Sequence, residues 1–393
     1  MSRSADKFLW ITFILFVLVL PVSSFISARI LVLLLILSLV FGERKFILLD
    51  LLKSSWDIFF YLLVLVLGFI YSTDEETGMR TLETSFALLT LPIVCFRIQA
   101  FSRDRLNSIF LFFSLGIFVA GLICLVNAFV TYKNNGHISQ VFFFYDFTNI
   151  INSHPTYLAY YLIFTITFGL HILNNEKPRL FVVFAVLFFF MILLLTGGQT
   201  AFVSLLLVFS YFMLKFFLGD RSRNQKLTIG TVGLMMTLMF LVSSTQGTKR
   251  ESALNDSWDR FALWSAAIDA NPNVLFGVGT GDSKIVLNEY FRQHNLSEYA
   301  NESLNSHNQF IQIYLSNGLI GLLALLLMLL RPLYLSFKNG NSFGILVFFP
   351  FLIYGMTEVF LGRYQGVVFF ALLHQVFVSY YGSSKPAFSL KEA

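Results

Sequence analysis

The sequence predicts an all-α, polytopic membrane protein of about twelve transmembrane helices with one large polar loop, and three observations carry that prediction. Of 393 residues, 56% are hydrophobic and only 12% charged, with 48 Phe, an apolar content beyond what a water-soluble core needs. Apolar runs long enough for a bilayer crossing, about 20 residues each, recur along nearly the whole chain. One substantial polar stretch, about residues 243–308, interrupts them. The chain therefore reads as a single integral membrane domain, 1–393, carrying an extracytoplasmic loop at 243–308.

Taken in order, the expected spans lie near 8–27, 29–42, 56–71, 84–100, 107–131, 155–173, 180–196, 200–218, 227–244, 309–337, 343–360 and 364–381. The first follows Met1 to Lys7 without a small-residue cleavage site and is read as a transmembrane helix, not a secretory signal. The second is short. Thr196-Gly197-Gly198-Gln199 divides one long apolar stretch into the seventh and eighth spans, so that eleven or thirteen crossings remain open. Cys95 and Cys124 each sit inside an apolar run and point to neither a disulfide nor a metal.

The charges orient these spans. With the N-terminus inside, the short outer loops hold only Arg29, Arg80, Lys133 and Arg363, whereas the inner segments collect basic residues such as Arg44, Lys45, Arg103, Arg105, Arg221 and Arg223. This is the positive-inside pattern, and it accounts for the net charge of +5 better than nucleic acid does, because no basic face is gathered on one helix. The long loop then falls outside the cytoplasm, where neither ATP nor nucleotide sugars are at hand. A group transfer carried out there needs a donor already activated and already in the membrane.

Within the loop, Asp256 to Ile268 reads as an amphipathic helix with Asp256 as N-cap and Asn271-Pro272 as its stop, placing Arg260 and Trp264 on one face. Gly277-Val278-Gly279-Thr280-Gly281 reads as a turn, or as a cradle for phosphate, although it lacks a strand-then-helix setting. His307-Asn308 stands where the loop enters the tenth span. The positive end of that helix disfavours an imidazolium, which suits a general base, while a cap or a surface residue is the plainer reading. Gly318 and Gly321, one turn apart, would let a neighbouring helix approach closely. Asp282, Glu289, Glu298 and Glu302 match no metal-ligand spacing, and neither a metal nor another cofactor is expected.

Together, Arg260-x3-Trp264 with Pro272 and Gly277-Val278-Gly279, and His307-Asn308-x9-Gly318-x2-Gly321, resemble the signatures of the bacterial O-antigen ligase and polymerase family of membrane glycosyltransferases, which includes protein O-oligosaccharyltransferases. Twelve spans with one large outer loop between the ninth and tenth also fit. The resemblance implies metal-independent, inverting transfer from undecaprenyl pyrophosphate to an acceptor hydroxyl at the periplasmic face of the inner membrane. His307 would take the hydroxyl proton, Arg260 would bind the pyrophosphate, and Asn308 would orient the histidine or a sugar. The family usually carries an arginine where this chain has Gln199, and Arg80 and Arg363 are the outer-side cations that could replace it. His154-Pro155-Thr156-Tyr157, at the start of the sixth span, is similar to a pattern found in some members, and a helix-start motif explains it equally well. Glu358 and Arg363 are expected to pair with each other.

The implied partners are a lipid-linked glycan donor, membrane lipids, and as acceptor a lipid A core sugar, a growing glycan or a protein hydroxyl; no nucleic acid is implied. A transporter or flippase for lipid-linked glycans is the rival from another class. The absence of an internal repeat and the clustering of charges in loops weigh against it. A scaffold for polysaccharide assembly would leave the histidine motif unexplained.

Overall fold

The computed structural model describes residues 3–42, 47–98, 101–135, 141–175, 180–218 and 250–382, with isolated positions between 230 and 237. Among these residues the chain is helical, with two short 3-10 turns and no strand. Backbone polar groups in lipid have no water to bond to, and a helix satisfies them within its own segment.

The helices are α1 Arg3–Val19, α2 Ser24–Phe41, α3 Leu48–Ser54, α4 Trp56–Ile70, α5 Glu75–Thr84, α6 Phe86–Arg97, α7 Arg103–Asn135, α8 Phe144–Thr148, α9 Pro155–Asn175, α10 Leu180–Thr196, α11 Gln199–Leu218, α12 Arg250–Asp269, α13 Ser283–Gln293, α14 Ser297–Glu302, α15 Gln309–Lys338, α16 Ser342–Gly355 and α17 Tyr364–Gly382. Five segments are long and apolar enough to cross a membrane: α2, α5 joined to α6, α7, α9 and α15. The pair α3 and α4, bent by 95° at Ser55, makes a sixth if counted as one span, and α1, α10, α11 and α16 contain shorter apolar helices. Every expected span has a helix at its place except the one at 227–244, most of which lies outside the described residues.

The interior of the bundle is aromatic. Phe110, Phe113, Tyr161, Phe164, Phe343, Phe351, Phe369 and Phe377 interlock between α7, α9, α16 and α17, with Phe113 and Phe369 stacked at 5.1 Å and Phe110 edge-on to Phe164 at 5.3 Å. Rings gain edge-to-face and offset contacts beyond their buried area, which explains the abundance of Phe in a core that has no hydrophobic driving force between helices in lipid.

Charges are not confined to loops. Asp57 and His374, both fully buried, meet at 2.6 Å, and Arg331 donates to the other carboxylate oxygen of Asp57 and to the Ser54 carbonyl at 2.7 Å. This network ties the α3–α4 bend to α15 and α17. The half of the rival-function argument that rested on charges clustering in loops therefore fails. Arg97, also buried, donates to the Ser38 and Leu39 carbonyls at the end of α2, where a cation suits the negative helix terminus.

A second, smaller core lies under the polar segment. Leu263, Ala266 and Ala267, at helical spacing on α12, pack with Leu287 and Phe291 of α13, Ala300 of α14 and Leu315 of α15. This satellite core holds the three loop helices against the first turns of α15.

Candidate functional site

The loop helix begins at Arg250, so Asp256 lies inside it and is not the N-cap. It ends at Asp269, just before the expected stop, where Asn271 donates to the Tyr314 carbonyl at 3.0 Å and fixes the exit of α12 against α15. Arg260 stands one turn before Leu263, at the edge of the packed face.

The glycine turn is neither a free turn nor a cradle. The backbone N–H groups from Gly277 to Asp282 are all engaged: Val278 with Leu315 at 3.0 Å, Gly279 with Ser316 at 2.8 Å, Thr280 with Gly68, Gly281 with the Ser72 hydroxyl, and Gly277 and Asp282 within the turn itself. Asp282 accepts from the N–H groups of Thr73 and Asp74, which locks the turn to the loop between α4 and α5.

Gly318 explains why the turn fits there. With φ 62° and ψ −159° it breaks α15, and Leu319 and Ile320 on its far side donate to Val274 and Leu275 at 2.8 and 3.3 Å. A Cβ at this glycine would lie 2.3 Å from the Leu275 carbonyl. The expected role for Gly318, close approach of a neighbouring helix, is thus replaced by docking of loop backbone into a helix break; the backbone groups a break frees are the ones the loop satisfies.

The histidine motif is built on the same helix. Asn308 is the N-cap of α15: its Oδ1 accepts from Phe310 and Ile311 at 2.9 and 3.1 Å, and its Nδ2 donates to the Met356 carbonyl. Its side chain is thereby spent on the fold, holding its neighbour in place. Gln309 accepts from the N–H of Leu361 at 2.8 Å, so the segments 307–309 and 356–361 are pinned together. His307 itself has a left-handed backbone, φ 45°, with its N–H bonded to Asn305 Oδ1 at 2.8 Å.

Two environments meet at the His307 ring. On one side is a cavity of about 350 Å³ lined by Arg260, Leu263, Glu298, Tyr299, Glu302, Leu304 and His307, so residues 47 positions apart in sequence share one space. Among the described residues, no carboxylate lies within ion-pair distance of Arg260. On the other side is Glu358, whose Oε2 is 3.8 Å from His307 Nδ1 and whose Oε1 accepts from Val359 N–H at 3.3 Å. The Glu358 carboxyl lies in the field of both His307 and His154. The expected Glu358–Arg363 pair is replaced by this contact: no ion pair joins the two among the described residues.

His154 ends the approach to α9. Its Nδ1 accepts from Thr156 N–H at 3.2 Å, which makes it a cap for the helix that Pro155 begins, and its Nε2 meets the Tyr145 hydroxyl at 2.5 Å. Burial lowers its pKa, the neutral ring being the one that can accept the Thr156 bond. Tyr157 points its hydroxyl at the Val359 carbonyl. The fields of Glu358 and Arg363 act on Tyr145, His154 and Tyr157 alike, so these groups form one polar cluster.

Gln199 is the first residue of α11, and the next residue, Thr200, meets Thr357 at 2.8 Å, which sets the start of α11 beside Glu358. Arg80 is elsewhere in its contacts: on α5 it pairs with Glu76 at 2.5 Å, and both side chains are about three-quarters exposed. Of the residues singled out from sequence, the structure therefore gathers His307 with Arg260 on one side and His154, Tyr157, Arg363 and the Gln199 backbone on the other. Tyr145 and Glu358 were not foreseen in this cluster. Glu358 carried a signal, an ionisable residue near a span end; nothing in the sequence marked Tyr145.

Comparison with known proteins bears on the same stretch. Residues 184–326, from α10 to the middle of α15, match the family model described as O-antigen ligase, and the match includes Gln199, Arg260, His307, Gly318 and Gly321. An uncharacterized protein of Haemophilus influenzae (strain ATCC 51907 / DSM 11121 / KW20 / Rd) is 24% identical over 240 residues, covering 53% of this chain and 59% of that relative. The chain thus aligns with about three fifths of the relative's length.

Proposed function

From the match of residues 184–326 to the O-antigen ligase family model, we propose that this multi-pass membrane protein is a glycosyltransferase that moves a glycan from undecaprenyl pyrophosphate to an acceptor hydroxyl on the periplasmic side of the bacterial inner membrane. The observation that carries the reading is the shared cavity of Arg260 and His307. His307 removes the acceptor's proton as the acceptor oxygen attacks the anomeric carbon. The bond from that carbon to the pyrophosphate oxygen breaks, the electron pair leaves with the lipid pyrophosphate, and the configuration inverts. Arg260 neutralises the charge developing on the leaving group, for which a planar guanidinium is suited.

Two features adjust the picture inherited from the family pattern. Arg363 is the better substitute for the missing arginine at Gln199, because it acts on the cluster around Glu358 whereas Arg80 is paired with Glu76 on an exposed helix face. Glu298 and Glu302, in the same cavity, offer carboxylate oxygens to sugar hydroxyls. Twelve spans, with a ninth at 227–244 and the polar loop outside, belong to this proposal. So do the acceptors: a lipid A core sugar and a growing glycan rank equally, and a protein hydroxyl follows.

The transporter reading draws on the buried Asp57–His374–Arg331 network. That network lies thirteen residues along α15 from Gly318, about 20 Å at helical rise, and away from the cavity. Its contacts bind three elements together, which is what a structural clamp does.

Glycan transfer measured in membranes of a host lacking its own ligase and polymerase tests the proposal. With His307→Ala at matched expression, product disappears from the gel ladder and lipid-linked donor accumulates. Unchanged product would remove the catalytic histidine, and absence of product with the wild type would bring the transporter forward.

A further inference from the structure

We infer that Glu358 is the positioning residue for His307, holding the imidazole by Nδ1 so that Nε2 is presented to the acceptor hydroxyl. The inference rests on the proposed glycosyltransferase reading and adds to it a residue outside the 184–326 stretch that matches the family.

The geometry has four parts. Glu358 Oε2 lies 3.8 Å from His307 Nδ1, and the two ring nitrogens of an imidazole point away from each other, so the nitrogen nearer the carboxylate cannot also serve the substrate. Glu358 is itself oriented: Oε1 is taken by the Val359 N–H, and its own N–H donates to the Tyr354 carbonyl at 2.8 Å. The two backbones are fixed to each other by Asn308 with Met356 and by Gln309 with Leu361. Finally, His307 is held at a φ of 45°, a backbone conformation that persists only where the surroundings impose it. At 3.8 Å the contact is longer than a hydrogen bond; contacts of this kind commonly tighten when substrate closes the site.

Charges on every side act on the pair. Arg260, Glu298 and Glu302 share the cavity with His307, from α12 and α14. His154, Tyr145, Tyr157 and Arg363 face Glu358 from α8, the start of α9 and the approach to α17. Once the acceptor's proton has arrived, the Glu358 carboxylate stands on the Nδ1 side of the ring, where it supports the positive charge.

The test uses the full-length protein and two readouts. The first is carbethoxylation of His307 by diethyl pyrocarbonate, which requires the neutral imidazole and is followed by peptide mass spectrometry across pH. The second is glycan transfer, with kcat and KM separated. Removing the carboxylate in Glu358→Gln withdraws support for the protonated ring, so the reactivity profile moves to lower pH. In the same variant kcat falls about 10- to 100-fold with KM little changed. Glu358→Asp, which keeps the charge on a shorter arm, recovers part of both and supplies the comparison if Glu358→Gln does not accumulate. A reactivity profile identical to the wild type in these variants, or a moved profile with undiminished kcat, overturns the role of Glu358. Transfer retained in His307→Ala removes the catalytic histidine, and absence of transfer by the wild type overturns the glycosyltransferase reading, so these failures are told apart from that of Glu358.

Discussion

In the proposed reaction Arg260 and His307 do different chemistry with different geometric demands. A proton acceptor needs one lone pair in the right direction, while a charge stabiliser for pyrophosphate needs several donors in a fixed plane. Arg260→Lys retains the charge and loses the fork, and transfer is expected to fall about 100-fold, equivalent to about 2.7 kcal/mol of lost transition-state stabilisation. Protein yield and the melting curve in detergent should stay as in the wild type, because Arg260 lies at the edge of the satellite core and not within it. An unchanged rate would take Arg260 out of the site. Both residues were legible in the sequence, since their types and spacing carry the resemblance. Glu358 was legible only as a charge near a span end; its partner was misassigned because Arg363 is five positions away along the chain, whereas His307, the actual neighbour, is 51 positions away.

Among the elements, the bend between α3 and α4 has a physical cause that no local sequence pattern announces. Trp56–Ile70 leaves Leu48–Ser54 at 95°, and the junction is held by Arg331 on the Asp57 carboxylate and the Ser54 carbonyl, with Ser55 donating to Gln375 at 3.0 Å. Breaking a buried pair by removing one partner leaves a charge without compensation, at a cost of about 3–5 kcal/mol. Asp57→Ala is therefore expected to lower the melting temperature in detergent sharply, and the double variant Asp57→Ala with Arg331→Met to recover part of the loss. Additive losses in the double variant would show that the two side chains do not act as a pair. Gly318 makes the same point at α15: the sequence marks a glycine one turn from another, which reads as a helix-packing pair. The structure uses the first as a break whose freed groups bind the loop.

At the scale of the whole molecule, the membrane decides which face does chemistry. The cavity opens beside the loop helices, on the side reached by the first turns of α15, while Asp57, Arg331 and His374 lie toward its other end. If the loop is extracytoplasmic, a cysteine at Ser297 on α14 should react with an impermeant thiol reagent in intact spheroplasts. Labelling only after lysis would reverse the orientation and with it the periplasmic assignment. The two native cysteines, both buried, leave the background low.

The amino-acid sequence by itself determined the helical class, the places of most of the described apolar helices, and the two residues on which the proposed chemistry turns. Each of these depends on composition, on periodicity or on a local motif, quantities that a linear chain carries in full. The tertiary structure decided which charges meet. His307 is set against Glu358 and opposite Arg260, Gln199 begins a helix beside Thr357, and the glycine turn is docked into the Gly318 break. Such pairings join segments tens to hundreds of residues apart. Their energy depends on distance and burial in three dimensions, and neither is written in the order of the residues.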